Sequence, residues 1–243
     1  MEANMAELFG KTIVFDGDSI CDGSRTAVNG ERVAWAGIVG CDYGMDWYNY
    51  SRGGATVTAE MYQESTGIAR HWLSRFIDTI KERHESLDYL ILEGGTNDSD
   101  LIGVESPKFG SFDLGDYSGN YDDTTFTGAL ETLFYKATSY YPGAKIGYIV
   151  AQKMGPHEGS YGPDYHRRAY FLRAIEVCKK WGIPYLDLWE RSPLNPSLRC
   201  YWDPSMNKEE NIAAGKAYFD GQHLTPHGYE MISGAIAEFI KSL

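Results

Sequence analysis

Ile13-Val14-Phe15-Asp16-Gly17-Asp18-Ser19-Ile20 reads as a short buried strand that stops in a polar turn. Ile13, Val14 and Phe15 form the apolar run, and Lys11 and Thr12 suit its exposed start. Asp16-Gly17-Asp18 breaks the run, because Gly frees the backbone and Asp favours turns over strands. A serine delivered just past the end of a central strand stands where open α/β sheets place their ligands. Gly-Asp-Ser alone is also an ordinary strand-ending turn, so the rest of the chain has to decide.

Working outward, apolar strands alternate with helical patterns. Met45 to Tyr50, Leu87 to Leu92, Lys145 to Ala151 and Ile183 to Leu188 read as further strands. Between them, helical spacing predicts helices over Glu31 to Cys41, Ile68 to Arg83, Thr125 to Tyr141 and Asp164 to Trp181. Pro226 opens a last helix with Met231, Ile232, Ala235, Ile236 and Phe239 on its apolar face. With no internal repeat and no composition break, the expectation is one α/β domain over residues 1–243 with a parallel sheet of about five strands. Ser99 to Asp123, rich in Gly, Asp, Ser and Tyr and without periodicity, is expected to be a substrate-side flap.

Composition narrows the partners. The chain has 243 residues, 43% hydrophobic and 23% charged, which is globular rather than disordered. A formal net charge of -12 argues against nucleic acid and anionic membrane surfaces, which are recognised through Lys and Arg. No apolar run is long enough to span a bilayer, so no membrane insertion is expected. Met1 to Gly10 carries Glu2 and Glu7 and no basic start, unlike a signal peptide, and a cytoplasmic location is expected. Cys21, Cys41, Cys178 and Cys200 have no zinc spacing and read as buried free thiols. No metal or cofactor is expected.

A serine hydroxyl becomes a nucleophile when a neighbouring base takes its proton, and that base works best when a third group orients it. Asp220-Gly221-Gln222-His223 provides such a pair, with the carboxylate able to reach back to the imidazole and the other ring nitrogen free for Ser19. His71, His84, His157 and His166 have no surroundings that point to a site, and His227 reads as a capping or surface residue. Acyl transfer also needs donors aimed at the developing oxyanion. Asn49 to Thr56, with Gly53-Gly54, and Gly95-Thr96-Asn97-Asp98 both leave strand ends and can supply them. An Asn in a Gly-rich turn is by itself only an Asx-turn.

Taken in order, these four blocks resemble the SGNH, or GDSL-type, esterase and lipase superfamily along nearly the whole chain. Gly17-Asp18-Ser19 is similar to its nucleophile block, and Gly54-Ala55-Thr56 fits its second block, with Gly53 as the alternative. Gly95-Thr96-Asn97-Asp98 and Asp220-Gly221-Gln222-His223 match the third and last blocks, although Leu224 stands where the family usually has Pro. The resemblance implies a flavodoxin-like three-layer αβα sandwich and metal-free ester hydrolysis through an acyl-serine. It implies Ser19, His223 and Asp220 as catalytic residues, with the oxyanion held by the Ser19 and Gly54 N–H groups and the Asn97 amide. The expected substrate is a small-molecule or saccharide ester, with a short acyl group such as acetyl. Lipase, lysophospholipase or thioesterase chemistry is the alternative within the superfamily.

Two readings of other classes compete. Asp16-Gly17-Asp18 resembles the Asp-x-Asp of haloacid-dehalogenase-type, magnesium-dependent phosphatases, but the Gly-x-Asn-Asp and Asp-x-x-His stretches would then have no role. A carbohydrate-binding module is suggested by 18 Tyr and 6 Trp, yet a binder has no use for an acyl-transfer set.

Overall fold

The computed structural model describes residues 7–23, 33–61, 71–100, 105–155 and 164–243. Five strands, β1 (Thr12–Asp16), β2 (Asp46–Asn49), β3 (Tyr89–Glu93), β4 (Lys145–Val150) and β5 (Tyr185–Asp187), form one sheet in the order β2-β1-β3-β4-β5. Every neighbouring pair is parallel. Ile13 lies between Trp47 and Tyr89, and Ile91 lies between Phe15 and Gly147. The helices are α1 (Ser19–Asp22), α2 (Trp35–Asp42), α3 (Leu73–Arg83), α4 (Thr96–Asp100), α5 (Phe126–Tyr140), α6 (Asp164–Trp181), α7 (Leu188–Arg191), α8 (Lys208–Ala213) and α9 (Pro226–Ser242).

Successive strand residues face opposite sides of a sheet, and here both sides are covered. Val14, Leu90, Leu92, Tyr148 and Val150 pack under α3, α5 and α6 with Leu73, Ile77, Leu130, Phe134 and Phe171. Ile13, Phe15, Tyr89, Ile91 and Ile149 pack under α2 and α9 with Trp35, Val39, Ile232 and Ile236. Each fully buried aliphatic or aromatic side chain contributes about 1.5–3 kcal/mol. The result is the three-layer αβα sandwich that the family resemblance implies, built on the parallel sheet expected from the alternation of strands and helices.

Strand order reverses between β1 and β3, which opens a crevice at their carboxyl ends. The helices that flank it are capped by their own sequence. Thr225 accepts the Gly228 N–H at 3.2 Å, and Pro226 takes the first position of α9, where no N–H is missed. The start of α9 must pack tightly, since a Cβ at Gly228 would come within 2.1 Å of the Ala217 carbonyl oxygen.

Three expectations change. Trp72 is extended and α3 begins at Leu73, while the start of that helix pattern at Ile68 lies outside the described residues, as does Glu31. Cys21 and Cys178 are buried free thiols, but Cys41 and Cys200 are exposed. Finally, residues 105–123 are a strap rather than a flap. The backbone N–H groups of Phe126 and Thr127 donate to Lys108 and Phe109 at 2.9 and 2.8 Å. Arg173 lies over the Phe109 and Phe112 rings at 5.2 and 5.3 Å, and the Tyr117 hydroxyl donates to the Lys180 carbonyl at 3.0 Å. Lys180 is itself buried against Glu131, at 2.7 and 2.8 Å, beneath the rings of Tyr117 and Tyr121. An aperiodic stretch thus gains its order from side chains of α5 and α6. None of the described helices is long and apolar enough to cross a membrane.

Candidate active site

Four turns at the carboxyl ends of the strands, or beside them, converge on the crevice. The first follows β1. Asp18 caps α1 by accepting the Ile20 N–H at 2.9 Å, which places Ser19 at the first helical position. There the Ser19 N–H has no intrahelical partner to find. The last turn precedes α9. Asp220 Oδ1 accepts the N–H groups of Gln222 and His223 at 3.0 and 2.7 Å, folding the turn around its own carboxylate.

Its second oxygen, Oδ2, meets His223 Nδ1 at 2.7 Å, and His223 Nε2 meets Ser19 Oγ at 2.9 Å. An ionised carboxylate only accepts, so the imidazole proton sits on Nδ1 and Nε2 is left to accept from the hydroxyl. Burial by itself would raise the Asp220 carboxyl, but the hydrogen bond and charge of His223 and the two backbone N–H groups hold it below its ordinary value. Asp220 therefore stays ionised at neutral pH. Phe219 lies nearly parallel to the imidazole, with ring centres 5.7 Å apart, and its N–H donates to the His223 carbonyl at 3.2 Å.

Asn97 and Gly54 lie in the turns that follow β3 and β2, and the Arg52 N–H, from the latter turn, donates to the Gly17 carbonyl beside the serine at 2.9 Å. Asn97, nearly buried, spends one amide N–H on the Ala55 carbonyl at 2.7 Å and keeps a second. Gly53 gives its N–H to Asp22 Oδ2 at 3.2 Å. Gly54, at φ 80, uses the left-handed conformation open to glycine, and its N–H has no partner among the described residues. Asp98 fastens the two turns together by accepting the N–H groups of Val57 and Thr58, both at 2.9 Å. Its burial pushes that carboxyl up to about 6 against the pull of those bonds.

Several contributors carry no motif. Gln152, past the end of β4 and fully buried, donates to the Gln222 carbonyl at 3.2 Å, while the Gly155 N–H donates to Gly221 at 2.8 Å. Arg167 reaches the Gln222 side chain at 3.3 Å, and Trp202 packs against Gly221, where a Cβ would lie 2.9 Å from its ring. Together they clamp the Asp220–His223 turn from behind. The one signal of this in the sequence was position, since Ala151-Gln152 also leaves a strand end. His71, which the sequence leaves without a role, is buried with Nε2 at 2.8 Å from Asp16 Oδ1. Asp16, the nucleophile in the phosphatase reading, is thereby sealed and engaged. His227 is exposed, His84 bonds the Tyr50 hydroxyl at 2.8 Å, and the side chains of His157 and His166 lie outside the described residues.

Set beside known proteins, residues 15–231 match the sequence model of the GDSL-like lipase/acylhydrolase family. Among solved structures, a protein from Lactobacillus plantarum superimposes with a TM-score of 0.70 at 22% identity, over 96% of this chain and 98% of that one. A carbohydrate acetylesterase from Sinorhizobium meliloti gives 0.62 at 15% identity, over 96% and 99%. An inhibitor-bound aryl esterase from M. smegmatis gives 0.61 at 16%, over 96% and 100%. No curated protein matches the chain by sequence.

Proposed function

From the premise that the chain belongs to the GDSL-like lipase/acylhydrolase family and is a carboxylic ester hydrolase, we propose that it removes short acyl groups, acetyl above all, from carbohydrate esters by way of an acyl-Ser19 intermediate. The observation that carries the mechanism is the hydrogen-bonded row Ser19 Oγ, His223, Asp220, at 2.9 and 2.7 Å. His223 Nε2 takes the hydroxyl proton as Ser19 Oγ bonds to the ester carbonyl carbon. Asp220 keeps the imidazole in the required tautomer and offsets the charge it gains. The negative charge that develops on the carbonyl oxygen is met by the Ser19 and Gly54 N–H groups and the remaining Asn97 amide proton. Collapse breaks the ester bond, and His223 returns its proton to the departing alcohol. Water then repeats the sequence on the acyl-enzyme, releasing the acid and restoring Ser19.

Trp202, partly exposed, sets an aromatic ring against Gly221 of the histidine turn, a contact of the kind sugar rings stack on, and one solved neighbour is described as a carbohydrate acetylesterase. The test is a p-nitrophenyl ester series followed by acetylated sugars. kcat/KM is expected to be highest for acetate and to fall with chain length, and acetate release from acetylated sugars should follow. A maximum at long acyl chains would replace this reading with the lipase one.

Asn97→Ala separates the oxyanion role from a turn role. Losing one such donor lowers turnover by about 100- to 1000-fold, with KM for p-nitrophenyl acetate nearly unchanged. Unchanged kcat with raised KM would make Asn97 a substrate-binding or turn residue.

A further inference from the structure

A second carboxyl lies directly beneath the nucleophile turn, and the acyl-transfer steps leave it unused. Glu93, the last residue of β3, is fully buried, and its Oε2 accepts the backbone N–H of Asp18 at 3.1 Å. A Cβ on Gly17 would lie 2.8 Å from that same oxygen and 3.0 Å from the Glu93 carbonyl oxygen. Glycine at 17 therefore makes room for the Glu93 carboxyl, not only for a turn. Asp18 is equally buried, with Oδ1 committed to the Ile20 N–H. The two remaining oxygens, Asp18 Oδ2 and Glu93 Oε1, are both sealed and have no hydrogen-bond partner among the described residues, and the Thr96 hydroxyl, likewise sealed, stands near enough to Asp18 to favour its charge.

Two ionised carboxylates in that position would face each other in a low dielectric. One proton held between them satisfies both orphan oxygens and removes the repulsion. We infer that Glu93 is a positioning residue that carries this proton: as a neutral acid it accepts the Asp18 N–H with one oxygen and donates its O–H to the Asp18 carboxylate with the other. Asp18 is thereby kept as the ionised cap that sets Ser19 and the Ser19 N–H. The catalytic part of this assignment rests on Ser19 being the nucleophile.

The surroundings favour the same state. Burial, followed by the charge of Asp18, pushes the Glu93 acid well above the ordinary carboxyl range. Asp18 is raised by burial as well, but the Ile20 N–H and Glu93 hold it back. The other titratable groups around the pair are Asp16 with its partner His71, Cys21 on α1, Asp98 on α4, Tyr148 on β4 and His223 across the crevice. Of these, Asp16, when ionised, adds to the charge that raises Glu93.

Glutamine is the isostere of the neutral acid, because its carbonyl can accept the Asp18 N–H and its amide can donate to Asp18 Oδ2. Glu93→Gln is therefore expected to keep most of the parental kcat. Glu93→Leu, which can do neither, is expected to lose about 100-fold in kcat through misplacement of Ser19, with KM little changed. A Glu93→Gln enzyme as impaired as Glu93→Leu, or a Glu93→Leu enzyme with parental kcat, overturns the inference.

Two readouts need no turnover, and so remain decisive where Glu93→Leu does not fold. The parental-minus-Glu93→Gln infrared difference spectrum should contain the C=O stretch of a protonated, buried carboxyl; its absence overturns the inference. A carboxyl raised in the fold contributes stability that is complete below its unfolded value of about 4.3 and is lost as pH rises through the folded value. Urea unfolding should thus show the parent losing stability relative to Glu93→Gln as pH rises from that region, and a flat difference counts against Glu93. Both readouts can be taken on a Ser19→Ala background, so failure of the nucleophile assignment and failure of this one are distinguishable.

Discussion

Ser19→Ala is expected to lower ester turnover by about a millionfold while leaving the fold in place. Triad members act as a unit, so loss of the nucleophile costs about as much as loss of all three, and what survives comes from the oxyanion donors and substrate binding. The side chain removed is small, and its hydrogen bond runs to His223. The Asp18 cap of α1 does not pass through the hydroxyl. Circular dichroism and thermal unfolding should overlay the parent, while the acyl-enzyme burst with p-nitrophenyl acetate disappears. A variant that still showed a burst of one equivalent would move the nucleophile elsewhere, with Cys21 the nearest alternative by position. Cys21 is badly suited to that role, because burial pushes its thiol well up and keeps it protonated.

Asp220→Asn is expected to cost about 10,000-fold in turnover, through the tautomer rather than through size. Asp220 Oδ2 can only accept from His223 Nδ1, whereas an Asn amide turned that way can donate, which moves the imidazole proton to Nε2 and blocks acceptance from Ser19. The pH profile adds a second signature. Asp220 is held below its ordinary value, so it remains ionised well into the acid range. The acid limb of the parental rate therefore does not belong to Asp220. Removing the adjacent negative charge removes an interaction that favours imidazolium, so the inflection should move to lower pH. The sign for stability runs with the carboxylate: its contribution is present above the unfolded value and is lost as pH falls through the lower, folded one. A profile of Asp220→Asn that overlays the parent in both height and inflection would reduce the triad to a Ser19–His223 dyad.

What could be read from the chain and what could not divide along physical lines. β1 and β3 were legible because buried parallel strands are short apolar runs, and each run stops at a turn: Ile13-Val14-Phe15 at Asp16-Gly17, Leu90-Ile91-Leu92 at Gly94-Gly95. α5, α6 and α9 were legible because they are long enough for a repeated stripe. α1, α7 and α8 span 4, 4 and 6 residues, too few for periodicity to register, and their caps became interpretable only once the turns were placed. The motif-bearing residues Ser19, Asn97, Asp220 and His223 stood out because acyl transfer demands those side chains. Glu93, Gln152 and Arg167 did not, because their work is to hold other residues, and any strand-end position could have supplied it. Gly54 already fitted the second block better than Gly53 as sequence; the structure adds that the Gly53 N–H is bonded to Asp22, which no pattern in the sequence announces. The strap over 105–123 was invisible for a related reason, since its order comes from partners such as Arg173 and Lys180 that lie far along the chain.

The hydrogen bond between Ser19 and His223 joins positions 204 residues apart. Closing a loop of that size gains nothing until the sheet between them has formed, because its entropy is offset only by the contacts made on the way. On a ribosome, the serine turn emerges long before the histidine turn, which comes immediately ahead of the helix that covers one face of β1 and β3. A nascent or truncated chain that has buried most of its core would therefore still lack the base. Hydrolysis requires the histidine turn to be in place against Ser19, so the return of activity during refolding reports on that turn, whereas circular dichroism follows the helices and sheet.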